Sequence, residues 1–172
     1  MRMQSKGAIR SIGMMAVALI VAAMTVTTVG AAAPANAGFE KLKTLVGTWE
    51  SPMEGGKSFT VTYRLVSNGT VLMEESGMEG MITMYHPDGD SVMLTHYCAG
   101  NNQPRMRAAG LKDGNKLNFK FVDVTNAAAA TEGIMKHLNL TLEDSDHYTA
   151  EWINSDKDGK ESPYTFHLTR KK

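Results

Sequence analysis

Between residues 58 and 66 apolar and polar side chains alternate without a break, with Phe59, Val61, Tyr63 and Leu65 on one side and Ser58, Thr60, Thr62 and Arg64 on the other. A period of two marks a strand with one buried face, because successive side chains of an extended chain point to opposite sides. The same period recurs through most of the chain, broken by turn-forming residues roughly every ten positions. It predicts strands over residues 48–53, 58–66, 70–76, 81–86, 91–99, 105–111, 116–123, 134–142, 147–154 and 162–170. Ahead of them, Phe39, Leu42, Leu45 and Val46 fall three and four apart, which predicts a short amphipathic helix ending at Gly47.

Ten strands without a crossover helix pair antiparallel and in sequence. An open sheet of that size would expose two long edges, and closure into a barrel removes both. The expected fold is therefore all-β, a ten-stranded antiparallel up-and-down barrel behind a short N-terminal helix. The alanine-rich stretch from Asn126 to Glu132 is the one interruption and reads as a lid or plug.

Gly47-Thr48-Trp49 opens the first strand directly after the helix, and Arg170 stands in the last strand. In this layout the chain resembles the calycin superfamily, and its ten strands resemble the fatty-acid-binding and nitrobindin-like barrels more than the eight-stranded lipocalins. The resemblance implies that Trp49 plugs one end of the barrel with Arg170 across its ring, a cation–π contact of about 0.5–1 kcal/mol. It also implies a ligand in the interior, or, for the nitrobindin-like branch, haem held on one histidine. His167 resembles that ligand's position, but its parity points outward, and His96 would be the substitute.

The turns decide which side chains share the interior. Asn68-Gly69 suits a tight hairpin that pairs Leu65 with Leu72 and Tyr63 with Glu74, so Glu74 is an inward carboxylate. For the next strand Ile82 and Met84 make the more apolar face. Pro87-Asp88-Gly89 as a three-residue loop pairs them with Leu94 and Val92, and His96 and Cys98 follow on that face. A two-residue turn at Asn101-Asn102 then sets Cys98 opposite Arg105 and His96 opposite Arg107, and Lys112-Asp113-Gly114 brings Phe119 and Phe121 beside them. In the last strands Leu138, Leu140, Leu142, Tyr148, Ala150, Trp152, Tyr164, Phe166 and Leu168 face inward, leaving His137, His147 and His167 outside. A slip of one residue at any turn reverses every face beyond it and would leave both arginines in solvent.

A buried guanidinium requires a carboxylate, an anion or several waters. Tyr63, Glu74, His96, Cys98, Arg105, Arg107, Phe119 and Phe121 thus form the candidate site, suited to a hydrophobic or amphiphilic acid whose head meets the arginines and whose tail lies on the aromatic rings. The eight methionines between Met53 and Met135 read as core filling or a tolerant pocket. His86 would lie ~20 Å along the strands from His96, too far for a shared metal ion, so no cofactor is expected apart from the haem alternative. Cysteine-based redox chemistry at Cys98 beside Arg105 is a third reading. No nucleophile elbow, phosphate-binding glycine loop or HExxH motif accompanies it.

Composition adds an address. Arg2, Lys6 and Arg10 precede an apolar run from Ile12 to Val29, and Ala35-Asn36-Ala37 offers small residues for signal peptidase. Residues 1–37 are expected to be a cleaved export signal and 38–172 the barrel, delivered to the periplasm or the medium with no stable membrane span. Without those three cations the barrel carries 15 basic and 18 acidic side chains, which gives no electrostatic footprint for nucleic acid.

Overall fold

The computed structural model describes residues 35–130 and 133–172. The expected export segment lies outside the described residues up to position 34. Helix α1 (Ala37–Lys43) leads into strands β1 (Gly47–Pro52), β2 (Ser58–Val66), β3 (Val71–Ser76), β4 (Ile82–Asp88) and β5 (Ser91–Tyr97). Then follow β6 (Gln103–Ala108), β7 (Lys116–Thr125), β8 (Ile134–Leu142), β9 (His147–Ser155) and β10 (Glu161–Arg170). All ten pair antiparallel with their sequence neighbours, and β1 closes on β10 to complete a barrel. The all-β, ten-stranded expectation holds.

One end of the barrel is sealed by α1. Asn36 caps the helix by accepting the Phe39 N–H at 2.8 Å, and its amide donates to the Gly89 and Ser91 carbonyls, each at 2.8 Å. The folded unit therefore already uses a residue upstream of the expected Gly38 start. Gly38 is needed for the close approach, because a Cβ there would stand 3.0 Å from a Val92 methyl and 3.2 Å from a Leu117 methyl. Phe39, Leu42 and Leu45 are buried in the same cluster as Trp49, whose indole N–H donates to the Leu45 carbonyl at 2.7 Å.

Trp49 is paired with Arg170 across the closing seam, as the resemblance implied. The guanidinium carbon lies 4.1 Å from the ring centroid. Its nitrogens donate to the carbonyls of Thr44, Val46 and Ser145 at 2.8–2.9 Å. Two of those carbonyls stand at the end of the helix, so one side chain ties helix, first strand and last strand together. Gly47 sits under it at φ 128°, where any side chain would be strained and would meet the guanidinium at 3.0 Å.

The register corrects several expected faces. The β2–β3 hairpin pairs Tyr63 with Glu74 and Leu65 with Leu72 as anticipated. The β4–β5 turn is shorter than the three-residue loop expected, because Asp88 pairs with Ser91 and only Gly89 and Asp90 lie between. Gly89, at φ 59°, takes the first central position that such a turn reserves for glycine. This odd shift turns Thr83 and Tyr85 inward in place of Ile82 and Met84, while Val92, Leu94 and His96 keep their expected face.

The β5–β6 turn is longer than the Asn101-Asn102 turn expected. The Cys98 N–H donates to the Asn102 carbonyl and the Asn101 N–H to the Cys98 carbonyl, both at 3.1 Å, with Asn101 in the left-handed region at φ 58°. Arg105 therefore pairs with Thr95, and the inward residues of β6 are Pro104, Met106 and Ala108. The β6–β7 register then pairs Arg107 with Lys120 and Met106 with Phe121, a second odd shift from the pairing expected, which restores Leu117 and Phe119 of β7 to the interior.

Candidate functional site

The sequence-derived site separates into a part that comes together and a part that does not. Arg105 and Arg107 lie on the outer surface, each about half exposed, where they pair with Asp123 and Asp88. The inward placement expected for them is corrected by the five-residue connection between Tyr97 and Gln103, and the outer face supplies the carboxylates that an interior position would have lacked. Cys98 sits in that connection, its sulfur accepting the Gly100 N–H at 3.4 Å, so the expected Cys98–Arg105 contact does not form. Phe121 pairs with Met106 next to the β6–β7 irregularity and lies half-buried under the Lys136 ammonium, 3.5 Å from its ring centroid. Phe119 is fully buried, edge-on to Tyr85 in the core.

Tyr63, Glu74 and His96 do converge. Successive strand pairings run Tyr63 to Glu74, Glu74 to Thr83 and Thr83 to His96, so one inward row of polar side chains crosses β2, β3, β4 and β5. Tyr85 is one inward position from Thr83. Its hydroxyl donates to Glu74 Oε2 at 2.5 Å, and the Tyr63 hydroxyl donates to the same oxygen at 3.1 Å. Tyr148, from β9 across the barrel, shares a hydrogen bond of 2.9 Å with the Tyr63 hydroxyl. Glu74 Oε1 takes no hydrogen bond among the described residues.

Burial pushes the Glu74 carboxyl up to about 7, against the pull of its two phenol donors. Burial likewise holds the Tyr63, Tyr85 and Tyr148 phenols well above their ordinary value, with the Glu74 charge reinforcing it. His96 is driven down to about 4 by burial, so its imidazole is neutral at physiological pH. Its Nδ1 is 3.0 Å from the Thr83 hydroxyl and its ring centroid is 4.8 Å from that of Trp152. Nε2 is covered and has no hydrogen-bond partner. A haem iron would need an open approach to that nitrogen, which this packing does not give. His167 lies on the outer face, 3.0 Å from the Thr149 hydroxyl. Among the described residues no group of three His, Cys, Asp or Glu side chains could hold a metal ion.

The polar row borders a cavity of about 170 Å³ inside the barrel. Glu74, Tyr63, Tyr148 and His96 contribute the polar edge, and Val61, Leu140, Ala150, Trp152 and Leu168 the apolar wall. Phe59, Met78, Met81, Met135, Tyr164 and Phe166 line the portion away from α1, where Tyr164 is half exposed.

Sequence reasoning missed Tyr85 and Thr83 because hydrophobicity favoured Ile82 and Met84. The signal available was Gly89-Asp90, a dipeptide that by itself suits a two-residue hairpin.

No helix among the described residues is long and apolar enough to cross a membrane. No family model and no curated protein matches the chain. Its architecture, a closed ten-stranded antiparallel barrel, is compatible with a calycin-like fold.

Proposed function

We propose that this is an exported binding protein that holds one small, mainly apolar molecule inside the barrel. The observation that carries the reading is the cavity of about 170 Å³ left within a core whose other side chains are tightly buried. Protein interiors are packed as densely as organic crystals, so a space of this size inside a barrel is a departure from ordinary core packing. A mostly apolar cavity with a few convergent polar groups is the form that small-molecule sites take.

The acidic head group anticipated from the sequence meets no Lys or Arg among the described residues lining the cavity, because Arg105 and Arg107 are outside. Its place is taken by the Glu74–tyrosine cluster. Export is supported by the charged, apolar and small-residue order of the leading segment.

Native mass spectrometry of protein purified from its own host is expected to show one small molecule per chain. Ala150→Phe, which places a ring in the cavity, should remove it while the protein stays folded. Retention of the bound molecule by that variant would place the binding site elsewhere.

A further inference from the structure

We infer that the barrel selects ligands carrying a basic amine, whose ammonium group is received by Glu74 among aromatic side chains. The inference rests on the interior being the binding site.

Three observations point the same way. Among the described residues lining the cavity, Glu74 is the single acidic or basic side chain other than His96, and no described Lys or Arg lines it. Both phenol donors go to Glu74 Oε2, which leaves Oε1 without a partner on a side chain that is only 8% exposed. Around it, Phe59, Tyr63, Tyr148, Trp152, Tyr164 and Phe166 line the same space. A ring that turns its face to this space presents the negative lobe of its quadrupole, which attracts a cation and repels a carboxylate. A charge-assisted bond from an ammonium to the open carboxylate oxygen adds to this. An aliphatic or aromatic tail would lie on Leu140, Ala150 and Leu168. A neutral ligand could take the hydrophobic space, but it would bring no positive charge to the open carboxylate oxygen.

The groups facing Glu74 leave its charge state to the ligand. Tyr63 on β2, Tyr85 on β4 and Tyr148 on β9 remain protonated, and His96 on β5 is neutral above pH of about 4. Tyr164 on β10 stands farther out, toward the exposed side of the cavity. Glu74 is therefore the group whose ionisation changes between weakly acidic and weakly alkaline pH, and amine affinity should rise across that range as the carboxylate forms.

The test is calorimetric titration of the purified protein with hexylamine, hexanol and hexanoate. At pH 8 hexylamine should bind at least about tenfold more tightly than hexanol, and hexanoate more weakly than either. Lowering the pH to 5.5 should weaken hexylamine several-fold and leave hexanol unchanged, a result that needs no variant. Glu74→Gln should remove the advantage of the amine while keeping hexanol binding. Hexanol binding equal to or tighter than hexylamine, with no pH dependence of the amine, would overturn the inference and leave the interior site standing. Failure of all three to bind would overturn the interior site for ligands of this size and the inference with it.

Discussion

The two tryptophans of the barrel sit in opposite surroundings. Trp49 is enclosed on every side: its N–H is bonded to Leu45, Arg170 covers its face, and Tyr148 meets it edge-on with centroids 4.8 Å apart. Trp152 leans on His96 and otherwise borders the cavity. The same side chain is thus used once to close the barrel and once to shape a space within it. The difference teaches that close packing and open space are segregated to different parts of one interior. The end under α1 is packed, and the region reached from β8, β9 and β10 is left open.

The largest effect that would break this contrast comes from truncating each indole. Trp49→Ala is expected to cost roughly 3–5 kcal/mol in urea unfolding, the range for large buried aromatics. Trp152→Ala should cost at least ~1 kcal/mol less, because the ring already borders open space on one side and has fewer packing contacts to lose. Equal losses would erase the distinction between a closed end and an open one.

A comparably large effect depends on pH. In the folded chain Glu74 keeps its proton to pH of about 7, whereas the ordinary value is 4.5. Between those values the folded state binds the extra proton, so this group's contribution to stability falls as pH rises, by roughly 3 kcal/mol in all. His96 acts in the opposite sense. Its folded value of about 4 lies below the ordinary 6.5, so its contribution is present above pH 6.5 and lost as pH falls toward 4. The two slopes oppose each other from pH 4.5 to 6.5. Glu74→Gln should unmask the histidine: denaturant titrations of the variant should show stability rising with pH through that window, while the parent stays nearly level. Parallel profiles for variant and parent would mean that Glu74 is solvated rather than buried.

How far the sequence led to this site depended on turn chemistry at particular residues. Ser58 to Val66 alternates so regularly that the inward Tyr63 was legible, and Asn68-Gly69 placed Glu74 beside it correctly. Trp49 and Arg170 were legible as a pair because their types and positions at the two ends of the strand series resemble a known seam. The β4 face was not, since its inward residues are Thr83 and Tyr85 and hydrophobicity ranks them below Ile82 and Met84. What holds them inside is a partner in space, the Glu74 carboxylate and the His96 ring, which no local pattern reveals. The arginines were misplaced by one loop. Asn101 adopts the left-handed conformation expected of it, but as the end of a longer connection, and every side chain of β6 turns over as a result. The β6–β7 pairing is itself shifted by one residue, Arg107 opposite Lys120, which reversed the parity again, so Phe119 fell in the expected place although the path to it was wrong.

The smallest expected effect sharpens the comparison from outside. Arg105 and Arg107 are exposed ion-pair partners on the outer wall, where such pairs are screened by water and salt. Replacing both with methionine should leave the unfolding midpoint within experimental error and ligand affinity unchanged. A loss of binding in that variant would return the site to the position expected from the sequence.

The central claim, that a ligand occupies the interior beside Glu74, is tested most directly by the methionine methyl groups. Eight methionines are spread over the barrel: Met53, Met73, Met78, Met81, Met84, Met93, Met106 and Met135. Met78, Met81 and Met135 line the cavity, and the other five do not. With the methyl carbons labelled, titration with hexylamine should move the NMR signals of Met78, Met81 and Met135 and leave those of Met53, Met84 and Met93 in place. Movement of the latter three with the cavity-lining signals unchanged would contradict the account.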